Sequence, residues 1–337
     1  MNPPALRKGT GCSVDLVPQL ELDGAVVTVV VIKERFAVDR RNRVRRLGDA
    51  KLRPTDLPWD DDKPDSLKYP SDVCIRKPST DVIVVGSAVQ AYGEPARTLD
   101  TFVRVGPVEK FLRVHGLRVW YRAVFGLALS PPEPFDALPL RWDLAFGGAD
   151  FEEGHKPMEE ARNPVGRGVA RDPRKLLHQP GPQIEDPHEP IEDPRARPAP
   201  AGVAPIGRHW EPRRRFLGTT DELWKKERLP LLPADFDDRF NQAAPPCLVT
   251  PKHLRGGELV QVHNMCANGP LQFELPRLHF FVGARHRRHI VEHRAVLDTV
   301  LLEPNSRELE MTWRAAVRMP KRASDILELS VHEKERL

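Results

Sequence analysis

The sequence predicts a mainly β protein: a two-lobed, antiparallel, sandwich-like scaffold with a few short helices and long proline-rich loops. Three observations favour this class. Short β-branched runs recur along the chain, 35 prolines lie spread between them, and no helical periodicity interrupts the first 125 residues. Proline at about twice its average usage suits loops and shortens helices. An α+β fold is the alternative.

The N-terminal segment, residues 1–127, is predicted to be a β lobe. Its clearest element is the β-branched run from Ala25 to Ile32, which is typical of a buried strand. Further strands are predicted at Asp81–Gly86 and Thr101–Val105, with a hairpin of Phe111–Val114 and Leu117–Tyr121 around His115–Gly116. The basic stretch Arg40–Arg46 has no interleaved aromatic residues, so a solvated hairpin tip is favoured over a nucleic-acid site.

The middle segment, residues 128–246, is predicted to be rich in loops. Residues 178–207 carry eight prolines, which predicts an extended or polyproline-like course. The stretch 207–246 follows, with two tryptophans, three consecutive arginines and two predicted short helices. The first helix is capped by Thr219 or Thr220 and cannot pass the next proline, and the second is expected to begin after Pro233.

The C-terminal segment, residues 247–337, is predicted to be a β meander that packs with the preceding parts. Leu259–His263 is expected to pair with Leu271–Leu275 through the Asn268–Gly269 turn. Further strands are predicted at 277–282, 290–296, 299–302 and 309–313. The last of these alternates apolar and polar residues, which predicts one buried and one solvated face. Residues 330–337 are predicted to be a charged tail.

Composition limits the classes of function. The chain has 52 basic and 48 acidic residues, a net charge of +4, so neither nucleic acid nor a membrane is expected as a partner. Cys12, Cys74, Cys247 and Cys266 are far apart, which is typical of reduced, buried thiols. The N-terminus lacks the apolar core of a signal peptide. These features predict a cytoplasmic protein.

A zinc-peptidase pattern, HxxEH, occurs at His289–His293, but it is not expected to bind metal. The segment runs into β-branched residues, which favour a strand over the helix that this motif requires. On a strand the two histidines would stand about 13 Å apart, too far for one ion. No GxSxG elbow is present, and Asp235 and Asp238 are better explained as a solvated face than as an acid pair. We therefore predict no enzyme, and no catalytic, cofactor-binding or metal-binding residues.

An ordered set of motifs resembles family 2169 of the bacterial domains of unknown function, which is encoded beside type VI secretion effectors. In chain order the matching residues are Lys77–Val82 with Gly86–Ala88, Trp142–Gly148, Asn163–Gly168, Gln183–Glu185 with Pro200–Ile206, Trp210–Arg213, Gly218–Trp224, Leu232–Asp237, Gly256–Glu258, and Leu297–Val300 with Trp313–Arg314. Two places depart from the family pattern. Thr220 stands where many members carry an aromatic residue, and Ala244–Leu248 lacks the usual glutamine.

The resemblance implies a cytosolic adaptor or chaperone that needs no cofactor. It would bind a type VI secretion effector, in some cases one with PAAR repeats, and help to load it onto the spike protein VgrG. Tryptophan and arginine are the residue types that most often anchor protein interfaces. The contact surface is expected on the stretch 207–246, with buried structural roles for both tryptophans as the alternative. The candidate partner-binding residues are Trp210, Arg213, Arg214, Arg215, Asp221 and Trp224.

Two other functions stay open. One is a hydrolase whose site is assembled from residues distant in sequence, such as His209 or His263 with Asp235. A deep polar pocket with shifted pKa values would favour it. The other is a structural component of the secreted particle, which would appear in the culture supernatant.

Overall fold

The computed structural model describes residues 5–48, 50–60, 63–287, 289–319 and 326–334. Strand accounts for 44 % of the structure and helix for 9 %, which confirms the predicted mainly β class. Within these ranges, no helix combines the length and the apolar character needed to cross a membrane.

Most strands are short, as the spread of prolines predicts. In chain order they are β1 (Ala5–Gly9), β2 (Ser13–Leu20), β3 (Val26–Val38), β4 (Val44–Arg46), β5 (Leu57–Asp60), β6 (Lys63–Tyr69), β7 (Asp81–Val84), β8 (Ser87–Val89), β9 (Thr98–Val105), β10 (Val108–His115), β11 (Trp120–Ala123), β12 (Gly126–Leu129), β13 (Ala137–Pro139), β14 (Phe146–Gly147), β15 (Ala149–Asp150), β16 (Met158–Glu159), β17 (Arg167–Gly168), β18 (Ile184–Glu185), β19 (Leu259–His263), β20 (Leu271–Glu274), β21 (His279–His286), β22 (Ile290–Arg294), β23 (Val296–Glu303), β24 (Glu308–Arg318) and β25 (Ile326–Lys334). The α-helices are α1 (Glu211–Arg214) and α2 (Glu222–Glu227), and 3-10 turns lie at Ala91–Gly93, Trp142–Leu144, Pro173–Leu176, Asp238–Asn241 and Pro246–Leu248.

The central sheet has the strand order β2-β3-β24-β23-β7, and β4 pairs with the end of β3. Its longest strand, β3, has 13 residues and pairs antiparallel with β24 along almost its whole length. Only β7 runs parallel to its neighbour, β23. Because β3 lies between β2 and β24 and is covered on both faces, the predicted β-branched run is fully buried from Val29 to Ile32.

Two further sheets have the orders β18-β10-β9-β19-β20 and β1-β25-β21-β22. All three sheets combine strands from before residue 128 with strands from after residue 246. The predicted division into 1–127, 128–246 and 247–337 therefore does not separate one sheet from another. A large apolar core lies between the sheets, where the ring of Phe280 on β21 meets Trp313 on β24 edge to face, with centroids 4.9 Å apart.

Three local predictions are confirmed. β19 pairs with β20 antiparallel, as the alternation around Asn268–Gly269 predicts. The basic stretch Arg40–Arg46 lies at the tip of the β3–β4 hairpin. The HxxEH segment contains a strand, β22, rather than a helix. Each of these elements is determined by residues that are close in the sequence, so it can be predicted from the sequence alone.

The predicted hairpin of Phe111–Val114 with Leu117–Tyr121 is wrong. β10 pairs instead with β9, the strand before it, through a turn at Gly106, whose φ of +54° suits glycine. Gly116 does not form a tight turn, because it passes close to the backbone of Glu133, whose carbonyl oxygen a Cβ would meet at 1.8 Å. The chain then continues into a separate hairpin, β11–β12.

The predicted charged tail is also wrong over its described part. β25 lies between β1 and β21, and its residues Leu329 and Val331 are fully buried. Glu328, Ser330 and His332 alternate with them on the other face. The many charged residues suggest a tail, but the alternation of apolar and polar residues is the pattern of a strand. The last three residues lie outside the described ranges.

β24 and α2 each depart from the prediction in one respect. Leu309 and Trp313 are buried as predicted, but so are Glu310 and Arg314 on the opposite face of β24. The cap of α2 is Asp221, whose Oδ1 accepts from the Trp224 backbone amide at 2.8 Å, rather than either threonine. In place of the second predicted α-helix the chain forms the 3-10 turn at Asp238–Asn241.

Candidate functional site

The segment Lys77–Asp81, which carries one of the family-like motifs, leads into β7 and forms hydrogen bonds to β23. Lys77 Nζ donates to Asp81 Oδ2 and to Thr299 Oγ1, both at 2.8 Å. Thr80 Oγ1 donates to the Leu297 carbonyl at 2.5 Å and accepts from the Leu254 amide at 2.9 Å. The motif thus fixes both the edge of the central sheet and the loop that precedes β19.

The same segment also fixes the end of the stretch 207–246. Asp81 Oδ2 accepts from the Ala243 amide, and Ser79 Oγ accepts from Gln242 Nε2, each at 2.8 Å. Because these hydrogen bonds are buried, water does not compete for their donors and acceptors. They therefore hold this end of the stretch in place. The lysine, serine, threonine and aspartate of the motif all have structural partners.

A buried ionic network covers the polar face of the central sheet. Lys33 pairs with Asp72 at 2.6 Å and Glu310 at 3.0 Å, and Arg314 pairs with Asp298 at 2.5 Å. Its four cations are Lys33, Arg53, Lys77 and Arg314, and its four carboxylates are Asp72, Asp81, Asp298 and Glu310. Burial acts to raise the pKa of Asp298, yet Arg314 and Lys77 bring it below its ordinary value. The network is charge-balanced, which suits an architectural role.

Several of the family-like motifs meet around Trp142. Its Nε1 donates to the Ala204 carbonyl at 2.9 Å, and its ring lies edge-on to Trp210 with centroids 5.7 Å apart. Asn163 Nδ2, buried, donates to the carbonyls of Trp142 and Phe146, both at 2.9 Å. Motifs that are separated along the sequence therefore build one packed centre.

Two of the predicted partner-binding residues, Trp210 and Arg213, are buried. Arg213 donates from Nε to the Phe240 carbonyl and from one terminal nitrogen to the Ile206 carbonyl, both at 2.9 Å. Burial, with a smaller effect of Arg208, lowers the pKa of Arg213 to about 10. Neither side chain reaches the surface of the free chain, so both support the stretch 207–246 rather than offering a surface contact.

The other four predicted residues lie at or near the surface. Arg214 and Arg215 are exposed, and the guanidinium of Arg215 lies over the Phe216 ring. Asp221 is exposed and caps α2, whereas Trp224 is half-buried and donates from Nε1 to the Leu231 carbonyl at 2.9 Å. A contact role for these four residues stays a prediction.

A groove of about 570 Å³ opens between the β2–β3 hairpin and the stretch 207–246. We call it the leucine groove. Its apolar lining is Pro18, Leu20, Val26, Val73, Ile75, Pro230, Leu231, Leu232, Phe236 and Phe240. Leu20 and Leu232 are 43 % and 36 % exposed, and Leu229, next to the groove in the chain, is 61 % exposed. The sequence prediction located this stretch but missed the groove, because its opposite wall comes from residues about 200 positions away.

The side chains proposed for a hydrolase do not form a site together. His209 accepts from Trp210 Nε1 at 3.1 Å, His263 packs on Phe102, and Asp235 accepts from Thr219. A different set does come together. Thr98, exposed, contacts His115 through Oγ1 and Nδ1 at 3.0 Å, and His115 Nε2 lies 2.8 Å from Glu185 Oε1.

Glu185 is positioned to orient His115. Its other oxygen accepts from Arg118 at 3.1 Å and from the Ile191 amide at 3.1 Å. Burial acts to raise the pKa of Glu185, but His115, Arg118 and the amide hold it below its ordinary value. Sequence reasoning missed this set because its three members come from β9, β10 and β18, and only the correct pairing of β9 with β10 would have placed Thr98 opposite His115.

The HxxEH histidines lie on the hairpin β21–β22. The rings of His286 and His289 stack with centroids 4.7 Å apart, and burial, with His286 nearby, lowers the pKa of His293. In the part of the chain that the structure describes, no three His, Cys, Asp or Glu side chains are grouped as metal ligands. The cysteine prediction is confirmed for Cys12, Cys74 and Cys266, but Cys247 is exposed.

Comparison with known proteins supports the resemblance on which the sequence prediction rests. A family model described as an uncharacterized protein conserved in bacteria, domain of unknown function 2169, matches residues 23–314. No curated protein and no solved structure matches the chain. The matched range includes the Lys77–Asp81 segment, the stretch 207–246 that forms one wall of the leucine groove, and the central sheet except β2 and the last residues of β24. The chain therefore belongs to family 2169 of the bacterial domains of unknown function.

Proposed function

We propose that this protein is a cytoplasmic adaptor that binds a type VI secretion effector and helps to load it onto the VgrG or PAAR spike. The observation that carries the proposal is the leucine groove. It is an open, largely apolar groove, and one of its walls is the stretch that the sequence singles out for binding. The link to type VI secretion comes from the family resemblance.

The groove has the properties of a protein-binding surface. Burying the exposed part of the groove leucines removes apolar area from water at about 25 cal/mol per Å², so several such contacts together favour association. Its volume of about 570 Å³ accommodates several side chains of a partner segment. Exposed apolar patches on a polar protein surface commonly mark such contacts.

Polar groups at the rim would orient the partner. Arg208 and Asp238 line the groove, and Arg76 pairs with Glu21 and, at 3.5 Å, with Asp238. Burial, as the larger influence, raises the pKa of Asp238 despite its contact with Arg76. Arg214 and Arg215 add exposed positive charge on the same stretch. This arrangement of an apolar centre with a charged rim is common in transient interfaces.

Co-expression with the product of the neighbouring effector gene, followed by size-exclusion chromatography, tests the proposal. We expect a joint peak, and an effector that is insoluble when made alone. The variant Leu20→Asp should weaken the joint peak, whereas Leu259→Asp, which is similarly exposed on the five-stranded sheet, should not. Two separate, well-folded peaks would contradict the adaptor function. Recovery of the protein with secreted spike in the culture supernatant would instead indicate a component of the particle.

A hydrolase is the second candidate, and the Thr98–His115–Glu185 arrangement favours it. With the imidazole proton on Nε2, facing Glu185, Nδ1 is positioned to accept the Thr98 hydroxyl proton as the oxygen attacks an ester carbon. His115 gives that proton to the departing oxygen, so the alcohol leaves while the acyl group stays on Thr98. A water molecule, deprotonated by His115, then attacks the acyl-threonine ester and releases the acid and the free Thr98 hydroxyl. A fluorophosphonate probe should then label Thr98 in the native protein and not in His115→Ala. Absence of labelling at Thr98 would exclude this activity.

A further inference from the structure

A second cavity, of about 270 Å³, lies apart from the leucine groove. It opens where the loop 252–255 meets the start of β21 and the junction of β22 with β23. Lys252, Arg255 and Arg294 line it, together with His253 and His279. Trp313 and three leucines form its apolar surfaces. We call it the basic cavity.

The charge of the basic cavity is not balanced by its own lining. No carboxylate lines it, and among the described residues Lys252, Arg255 and Arg294 form no ion pair. Glu258 accepts from the Arg255 backbone amide at 2.8 Å but does not line the cavity. Three exposed cations that line one concave surface favour an anionic ligand.

The loop backbone that carries Lys252 and Arg255 is held by contacts to the segment before β7 and to β23. His253 Nε2 lies 3.0 Å from the Lys77 carbonyl, and Thr250 Oγ1 lies 2.7 Å from the Lys252 carbonyl. Leu254 bridges to Leu297 on β23, beside its bond to Thr80. The loop therefore presents its basic side chains from a fixed backbone, which reduces the entropy lost on binding.

We propose that the basic cavity binds glutamate or aspartate side chains of an acidic segment on a partner protein. The proposal rests on the adaptor function in one respect, because it takes that segment to belong to the cargo or the spike. The apolar surfaces suit the aliphatic part of a peptide side chain, and the three cations suit its carboxylate. The net charge of only +4 and the small volume do not suit the phosphate track of a nucleic acid.

A labelled acidic peptide tests this inference without the cargo. Fluorescence anisotropy would compare a hexaglutamate peptide with a hexaglutamine peptide on the purified full chain. We expect the glutamate peptide to bind at least about tenfold more tightly, with affinity that falls as salt rises. Equal affinity for the two peptides would overturn the proposal, as would displacement of the peptide by inorganic phosphate at equimolar concentration.

Charge reversal locates the binding. Arg294→Glu combined with Lys252→Glu should weaken the glutamate peptide about tenfold or more. The matched control carries Arg122→Glu with Arg41→Glu, at exposed positions that line neither the basic cavity nor the leucine groove, and should retain the wild-type affinity. An equal loss in the control would show general charge attraction and overturn the assignment to this cavity. Unchanged melting temperatures would verify that the variants fold. The co-expression assay tests the leucine groove separately, so its outcome does not depend on the peptide assay.

Discussion

Two groups of cations lie close together in this fold and have opposite surroundings. In the ionic network of the central sheet, Arg314 and its companions each face a buried carboxylate. In the basic cavity, Lys252, Arg255 and Arg294 face solvent and, among the described residues, no paired acid. Arg294 ends β22 and Arg314 lies on β24, only 20 positions later, yet Arg314 is buried in the core and Arg294 is exposed. The residue type alone therefore does not predict the role of a cation; the groups that face it must also be known.

The largest expected effect separates these two arginines. Arg314→Met leaves Asp298 charged, fully buried and without its partner, so we expect the free energy of unfolding to fall by about 3–5 kcal/mol. Arg294→Met should change it by no more than about 0.5 kcal/mol. Urea titration of both variants measures the difference. A double variant, Arg314→Met with Asp298→Leu, should recover part of the loss; if it does not, the pair is not the cause.

A smaller effect should separate the neighbours Arg213 and Arg214. Arg213→Met removes the donors to two buried carbonyl groups, which should cost about 1–3 kcal/mol of stability. Arg214→Glu should leave the melting temperature unchanged while it weakens binding of the effector. Thermal unfolding and the co-expression assay measure the two quantities. Loss of folding in Arg214→Glu would show that the exposed arginine is structural as well.

The smallest effect concerns acid stability. The pKa of Asp298 is lower in the folded chain than its ordinary value, so its stabilising contribution is present above that ordinary value. The contribution is lost as the pH falls through the folded value. Urea titrations at a series of falling pH values should therefore show that the free energy of unfolding decreases less steeply with pH in Asp298→Asn than in the wild type. Arg294→Met should keep the wild-type slope, because Arg294 pairs with no carboxylate within the ranges that the structure describes. A changed slope would contradict the contrast between the two groups.

The sequence predicts the local elements of this fold and misses the distant contacts. The β3 run, the β19–β20 pair and the strand at β22 each follow from neighbouring residues. By contrast, Glu310 and Arg314 look like the solvated side of a strand, because Arg53, Asp72 and Asp298 cannot be placed opposite them from pattern alone. Strand pairing depends on which distant segment of the chain packs against each sheet edge, and local sequence patterns do not determine this.

The candidate site shows the same limit. Tryptophans and arginines single out the stretch 207–246 in the sequence, but Trp210 and Arg213 are buried in the structure. The residues at Leu20 and Ile75 that complete the leucine groove carry no sequence signal of binding. The basic cavity was missed because Lys252 and Arg294 are 42 positions apart and only the folded loop brings them together.

The pairing of β3 with β24 has a consequence for how the protein is made. β3 ends at Val38 and β24 begins at Glu308, 270 positions later. At about 5–20 residues per second, a ribosome needs about 15–55 s to supply the second strand after the first. During that interval one edge of a long, valine-rich strand has no native neighbour. Synthesis rate and general chaperones should therefore govern the yield of this protein more strongly than its final stability does.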